Sequence, residues 1–206
     1  MSSIKLKHSG GNGVIIAAPS SNPASDRTIT VPSNADGTML TTTNPKAGNI
    51  IQVVQTYRTS QFSQSLTTGN YSAAVMTASI TPASSSNKIL VLCTVHISTG
   101  GGTNGAQARL ARDGTAIGIA DADGNRTRAT GAGMGSSAVN RMQSNVQMTF
   151  LDSPSSTSAL SYTAHIKPGF SGTETVYLNR EGGGHSGNAA NVGLSASSLT
   201  LMEVAV

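Results

Sequence analysis

The chain of 206 residues has no tryptophan, three phenylalanines and four tyrosines, so aromatics make up only 3% of it. Single-strand nucleic-acid binders need rows of aromatic stacking platforms, and glycan-cleaving sites usually need aromatic sugar platforms beside a positioned carboxylate pair. The aromatics are too few for either. The single cysteine, Cys93, excludes an intrachain disulfide framework, and its place in Ile89-Leu90-Val91-Leu92-Cys93 marks it as a small buried hydrophobe. Charge is scarce as well. Charged residues make up 11%, and the 13 basic side chains are scattered against nine acids for a net charge of +4. No basic run interleaved with aromatics appears, so no nucleic-acid partner is expected. No apolar run approaches membrane-spanning length, and no membrane insertion is expected. The opening Met1-Ser2-Ser3-Ile4-Lys5-Leu6-Lys7 has no apolar stretch of the signal-peptide kind, so synthesis in a cytoplasm is expected.

What the chain does have is glycine, 23 of them, and abundant serine and threonine around a hydrophobic share of 37%. Disordered chains combine low hydrophobicity with many charges, whereas here hydroxyl side chains supply the polarity, and these suit β edges and turns. Ordered β structure follows. With so few large apolar side chains one protomer buries little area alone, and burial against sister chains is the natural remedy.

The segment 1–48 alternates brief β-like pairs with turn clusters: Ile4 and Leu6, Gly10-Gly11-Asn12-Gly13, Val14-Ile15-Ile16, then Pro19 to Asp26, Ile29 and Val31. Such a pattern suits an extended β arm or an intertwined module and no compact core of its own. Thr41-Thr42-Thr43 with Asn44-Pro45 and Gly48 reads as a linker. Residues 49–206 form the second domain. Its clearest strand alternates Ile89, Val91, Cys93, Val95 and Ile97 against Leu90, Leu92, Thr94 and His96. Further strands are expected at 74–80, 106–112, 116–120, 146–151, 160–166, 175–179 and 199–206, about eight in all. Arg112-Asp113-Gly114-Thr115 reads as a tight hairpin, because Asp-Gly supplies positive-φ residues. No helical periodicity competes. The fold class is therefore all-β: an extended N-terminal β arm followed by a jelly-roll-like antiparallel β-sandwich with loops clustered at its ends.

No acid pair, Ser/His/Asp set or metal-ligand spacing stands out, and no enzyme activity, cofactor or metal is expected. Asp121-Ala122-Asp123-Gly124-Asn125 has the opening of a calcium loop without its later glutamate, and reads as a polar turn. His8, His96, His165 and His185 show no ligand spacing; only an oligomer axis gathering His8 or His185 from each chain would make a metal site. Arg126, Arg128 and Arg141 flank Gly131-Ala132-Gly133-Met134-Gly135, which reads as an exposed loop able to meet anionic glycans or as a plain solvated edge. The Gly/Asn-rich stretch from His185 through Asn188 to Asn191 has the composition of a recognition loop, or of a spacer.

The opening Ile4-Lys5-Leu6-Lys7-His8-Ser9-Gly10-Gly11-Asn12-Gly13-Val14, the stretch Asp26-Arg27-Thr28-Ile29-Thr30-Val31-Pro32 leading to Asp36-Gly37-Thr38, and Ser84-Ser85-Ser86-Asn87-Lys88-Ile89-Leu90-Val91 carry a resemblance. Leu151-Asp152-Ser153-Pro154, Tyr177-Leu178-Asn179-Arg180 and Leu199-Thr200-Leu201-Met202-Glu203-Val204 extend it. In these patches the chain resembles small tail-fibre or virion appendage proteins of tailed bacteriophages, of the marine and cyanobacterial phage type. The resemblance implies a homotrimer located in the virion, an anchoring N-terminal segment and a β head that faces the host. Ile4, Leu6, Val14, Ile16, Ile29 and Val31 would then attach the arm to other virion proteins of tail or capsid. Arg126, Arg128, Arg141, His185, Asn188 and Asn191 would be the receptor contacts, toward a host cell-surface glycan or protein. A capsid decoration or head-fibre protein is the alternative; a lectin-like module is a third, disfavoured by the scarce aromatics.

Overall fold

A computed structural model describes residues 3–17, 20, 45–100, 105–133, 143–169, 172–182 and 193–206. The chain divides into two compact units, Met1–Met39 and Leu40–Val206. In the first, β1 (Ser3–Lys7) and β2 (Gly13–Ala17) form an antiparallel hairpin in which Ile4 pairs with Ile16 and Leu6 with Val14. Its turn is closed by the His8 amide donating to the Asn12 carbonyl at 2.7 Å and by the Gly11 amide donating to the His8 carbonyl at 2.9 Å.

The second unit is an all-β antiparallel sandwich, with no helix among the described residues. Its first sheet contains β3 (Ile50–Arg58), β4 (Phe62–Thr67), β6 (Lys88–Thr99), β10 (Ser144–Asp152), β12 (Thr173–Leu178) and β13 (Ser197–Val204). The second contains β5 (Met76–Ile80), β7 (Ala106–Arg112), β8 (Thr115–Ile117), β9 (Gly131–Gly133) and β11 (Leu160–Pro168). Ile97 of β6 pairs with Ser144 of β10 and with Leu178 of β12, so those two strands lie on opposite edges of β6. On the β12 edge, β13 pairs with residues 88–94 of β6 and β12 with residues 97–99, end to end. β3 and β4 continue the same arrangement one place further out. In the second sheet β8 and β9 likewise share one edge of β7. Each sheet is thus four strand positions wide.

The core lies between the sheets, filled by the inward member of each alternating pair. Ile89, Val91, Cys93, Val95 and Ile97 of β6 face Leu110 of β7 and Tyr162, Ala164 and Ile166 of β11 in one hydrophobic cluster. Burial pushes the Cys93 thiol up to about 12, so it is an inert packing element at neutral pH. At one end of the sandwich the buried Asp152 accepts from Arg112 and Tyr162, joining the two sheets. Elsewhere the buried Glu203 Oε1 accepts from the Ala83 amide at 2.7 Å and Asn87 Nδ2 at 2.6 Å, which holds the β5–β6 connection against β13.

The tight hairpin is as the sequence reads: Arg112 pairs with Thr115 across Asp113 (φ 47) and Gly114 (φ 82). Three strands escape the sequence pattern. β3 and β4 carry mixed polar and apolar residues because one of their faces meets solvent, and their inward residues include Gln64 and the partly buried Val54 and Phe62. β9 corrects the reading of Gly131–Gly133 as an exposed loop. A Cβ on Gly133 would sit 2.6 Å from the Ser144 Cβ and one on Gly131 2.8 Å from the Val146 Cγ1. β9 packs against β10 at a separation that only glycine allows. The strand expected at 116–120 is shorter, because Gly118 takes φ +58 and ends it.

Candidate interaction surfaces

The outward face of the first sheet is built by the alternate residues that the core does not use. Register aligns Val53 of β3 with Met202 of β13, Met202 with Leu90 of β6, and Leu90 with Leu151 of β10. This apolar row crosses the full width of the sheet. The next row is Gln55, Thr200, Leu92 and Thr149, the one after it Tyr57, Ser198, Thr94 and Gln147. Val53 is 57% exposed, Tyr57 65% and Leu151 47%, with Ile50 at 53% beyond them. Across these rows and the adjoining Val204–Lys88 pair there is no acid, and Lys88 is the one formally charged side chain. A face with so little charge and with large exposed apolar side chains is what interaction surfaces display, whereas single scattered apolar residues are ordinary.

The outward face of the second sheet is different in character. Tyr71 lies over it, with the Arg109 guanidinium 4.1 Å from the ring centre and the Lys167 ammonium 5.8 Å from it. Arg109 comes from β7 and Lys167 from β11, whose pairing sets His165 opposite Arg109 and Lys167 opposite Gln107. The Tyr71 hydroxyl donates to the Arg128 carbonyl at 3.1 Å, and Lys167 Nζ donates to Thr127 Oγ1 at 2.9 Å, which pins the β8–β9 connection onto the sheet. His165 Nδ1 lies 2.9 Å from the Ser72 carbonyl and its Nε2 3.0 Å from Thr163 Oγ1. Burial pushes the Lys167 amine below the ordinary lysine range. Burial also raises the Tyr71 phenol, against the lowering effect of Arg109.

Of the receptor-contact candidates, Arg126 and Arg128 lie in this connection. Arg126 forms an exposed ion pair with Asp123 at 2.9 Å, a local contact of one turn, and such surface pairs contribute little. Arg128 Nε donates to the Ala120 carbonyl at 2.5 Å, so its guanidinium is engaged within the loop. The Tyr71 cluster meets this connection at the Arg128 carbonyl and at Thr127 Oγ1. Arg141, His185, Asn188 and Asn191 lie outside the described residues, as do Ile29 and Val31 among the attachment candidates. Ile4, Leu6, Val14 and Ile16 all fall on the β1–β2 hairpin, where Leu6 and Ile16 are exposed. His8 sits in that hairpin's turn, its Nδ1 accepting from the Gly10 amide at 3.1 Å.

Sequence reasoning missed both the apolar row and the Tyr71 cluster. The row draws single residues from four strands distant in sequence, and only register brings them together. Tyr71 and Arg109 are 38 positions apart and Lys167 lies further still, with no local motif to connect them.

No protein-family model matches the chain, and no curated protein matches it. Among solved structures it is similar to the VP2 subviral particle of infectious bursal disease virus, at 13% identity and a TM-score of 0.39 over 87% of this chain and 42% of that one. The structures of the Gx and Gt strains of the same virus match at 14% and 16% identity with TM-scores of 0.40 and 0.39, over 87% and 95% of this chain and 41% and 48% of theirs. The chain spans less than half the length of each of these matches. Likenesses this distant bear on neither activity nor partners.

Proposed function

We propose that the chain is a non-enzymatic structural subunit of a virus particle, a tail fibre or fibre tip of a tailed bacteriophage. It acts as a homotrimer, attaches to the particle through residues 1–48, and meets the host surface with loops of its jelly-roll-like head. The observation that carries the structural role is the uncharged apolar row Val53, Met202, Leu90 and Leu151 on the outer face of the first sheet. A chain with only 37% hydrophobic residues still spends large ones on an outer face. That placement is consistent with burial against a second copy. Four strands spaced about 4.8 Å apart and about nine residues long give a face of roughly 600 Å² before side-chain relief. A stable contact buries on the order of 800 Å² per partner, so the face is of the right size. With a net charge of +4, copies repel at long range, and the uncharged rows are the part of the surface where they can meet without opposed like charges.

The assignment to a virion rests on the sequence resemblance. Labelling the chain in purified particles and locating it by electron microscopy tests that assignment. A small number of trimers at the tail supports the fibre reading, and trimers tiling the capsid point to a decoration protein instead. Absence from particles overturns both.

A further inference from the structure

Lys167 is 5% exposed, yet its ammonium, able to donate three hydrogen bonds, has Thr127 Oγ1 as its hydrogen-bond partner among the described residues. Arg109 Nε is buried with no hydrogen-bond partner among the described residues. The ion pairs among those residues are Arg112 with Asp152 and Arg126 with Asp123, so neither cation of the Tyr71 cluster has a carboxylate at ion-pair distance. Two positive groups therefore sit on one aromatic ring, Lys167 withdrawn from water and Arg109 partly so, with the ring's π face as compensation. Withdrawing a cation from water without a counter-charge is unfavourable, and protein sites that do so pair the cation or bind an anion. Arg109 is the more open of the two, and its planar fork matches an oxyanion in a bidentate fashion.

We propose that Arg109, Lys167 and Tyr71 form a binding site for an oxyanion, the sulfate or carboxylate group of an acidic polysaccharide. Arg109 holds the anion directly, Lys167 supplies charge from behind, and Tyr71 fixes both cations while its hydroxyl is anchored on the Arg128 carbonyl. The inference rests on the host-contact part of the proposed function and moves that contact from the tips of Arg126 and Arg128 to the sheet face beneath them.

Titration calorimetry of the full chain at fixed ionic strength tests it with inorganic sulfate, dextran sulfate, hyaluronate oligosaccharides and neutral dextran. The expected result is heat from at least one acidic polysaccharide and none from neutral dextran. R109Q weakens that binding by roughly tenfold, the effect of losing one charge-assisted hydrogen bond, and K167M weakens it by about fivefold through the loss of a neighbouring charge. R126Q, which alters an exposed and locally paired arginine, changes it by less than about twofold. Equal weakening by all three substitutions would mean a diffuse attraction to net charge and would overturn the site. No binding of any anion overturns it as well, and binding of inorganic sulfate alone overturns the polysaccharide assignment. Circular dichroism melts identify a K167M protein that does not fold, in which case R109Q decides. Failure here leaves the chain's mass and its position in the particle unchanged, so it is separable from failure of the virion reading.

Discussion

Asp152 of β10 and Arg112 of β7 meet at 2.5 Å across the gap between the two sheets, and the Tyr162 hydroxyl donates to the same carboxylate oxygen at 2.7 Å. Asp152 is buried, so the carboxylate depends on these donors in place of water. D152A leaves a partly buried guanidinium and a buried phenol without their acceptor. The expected loss is about 3–5 kcal/mol in chemical denaturation. R112M combined with D152L, which removes the charges and keeps the volume, is expected to recover most of that loss.

Burial, and next the hydrogen bond to Asp152, hold the Tyr162 phenol above its ordinary value of 10.0. A phenol whose pKa is higher folded than unfolded keeps its proton in the native state where the unfolded chain releases it. Its contribution to stability is complete below pH 10 and is lost as the pH climbs further. Unfolding free energy measured from pH 8 to 11 is therefore expected to fall above pH 10, and Y162F is expected to flatten that fall.

Gly131 and Gly133 let β9 close on β10, and either position is intolerant of a side chain. G133V is expected to destabilise by about 1–3 kcal/mol through overpacking. Faster amide hydrogen exchange over residues 131–133, with β11 unchanged, is the accompanying sign that β9 has been pushed from its place.

The strands buried on one strict alternation were legible in the sequence: β6, β7, β10, β11 and β13 fall within two or three residues of their expected spans. The Asp113–Gly114 hairpin was legible too, since a two-residue turn with positive φ at both places leaves few alternatives. β3 and β4 were not, because each packs one face weakly and places a polar residue on it, Thr56 in β3 and Gln64 in β4. β9 hid behind its glycines, whose absence of side chains is the reason for the strand and also what erases its signal. The candidate sites suffered more. Arg126 and Arg128 stand out through local charge, yet their guanidinium groups are tied to Asp123 and Ala120, and the two cations that share the Tyr71 ring, Arg109 and Lys167, are brought together by the β7–β11 register.

The outer face of the first sheet yields a prediction that separates assembly from folding. Val53 and Leu151 are exposed in the single chain, so V53D and L151D cost the isolated fold little. Each places a charge in a row that is otherwise uncharged, and circular dichroism is expected to show a native β spectrum for both proteins. The oligomer is expected to weaken by about tenfold or more for either, because an unpaired charge must be desolvated in the contact.

The most direct measurement is the mass of the full chain in solution by sedimentation velocity, run beside L151D. A trimer for the unsubstituted chain that shifts to folded monomer in L151D is the predicted result. A stable monomer of the unsubstituted chain, or an oligomer that L151D leaves intact, would contradict self-association through the row of Val53, Met202, Leu90 and Leu151.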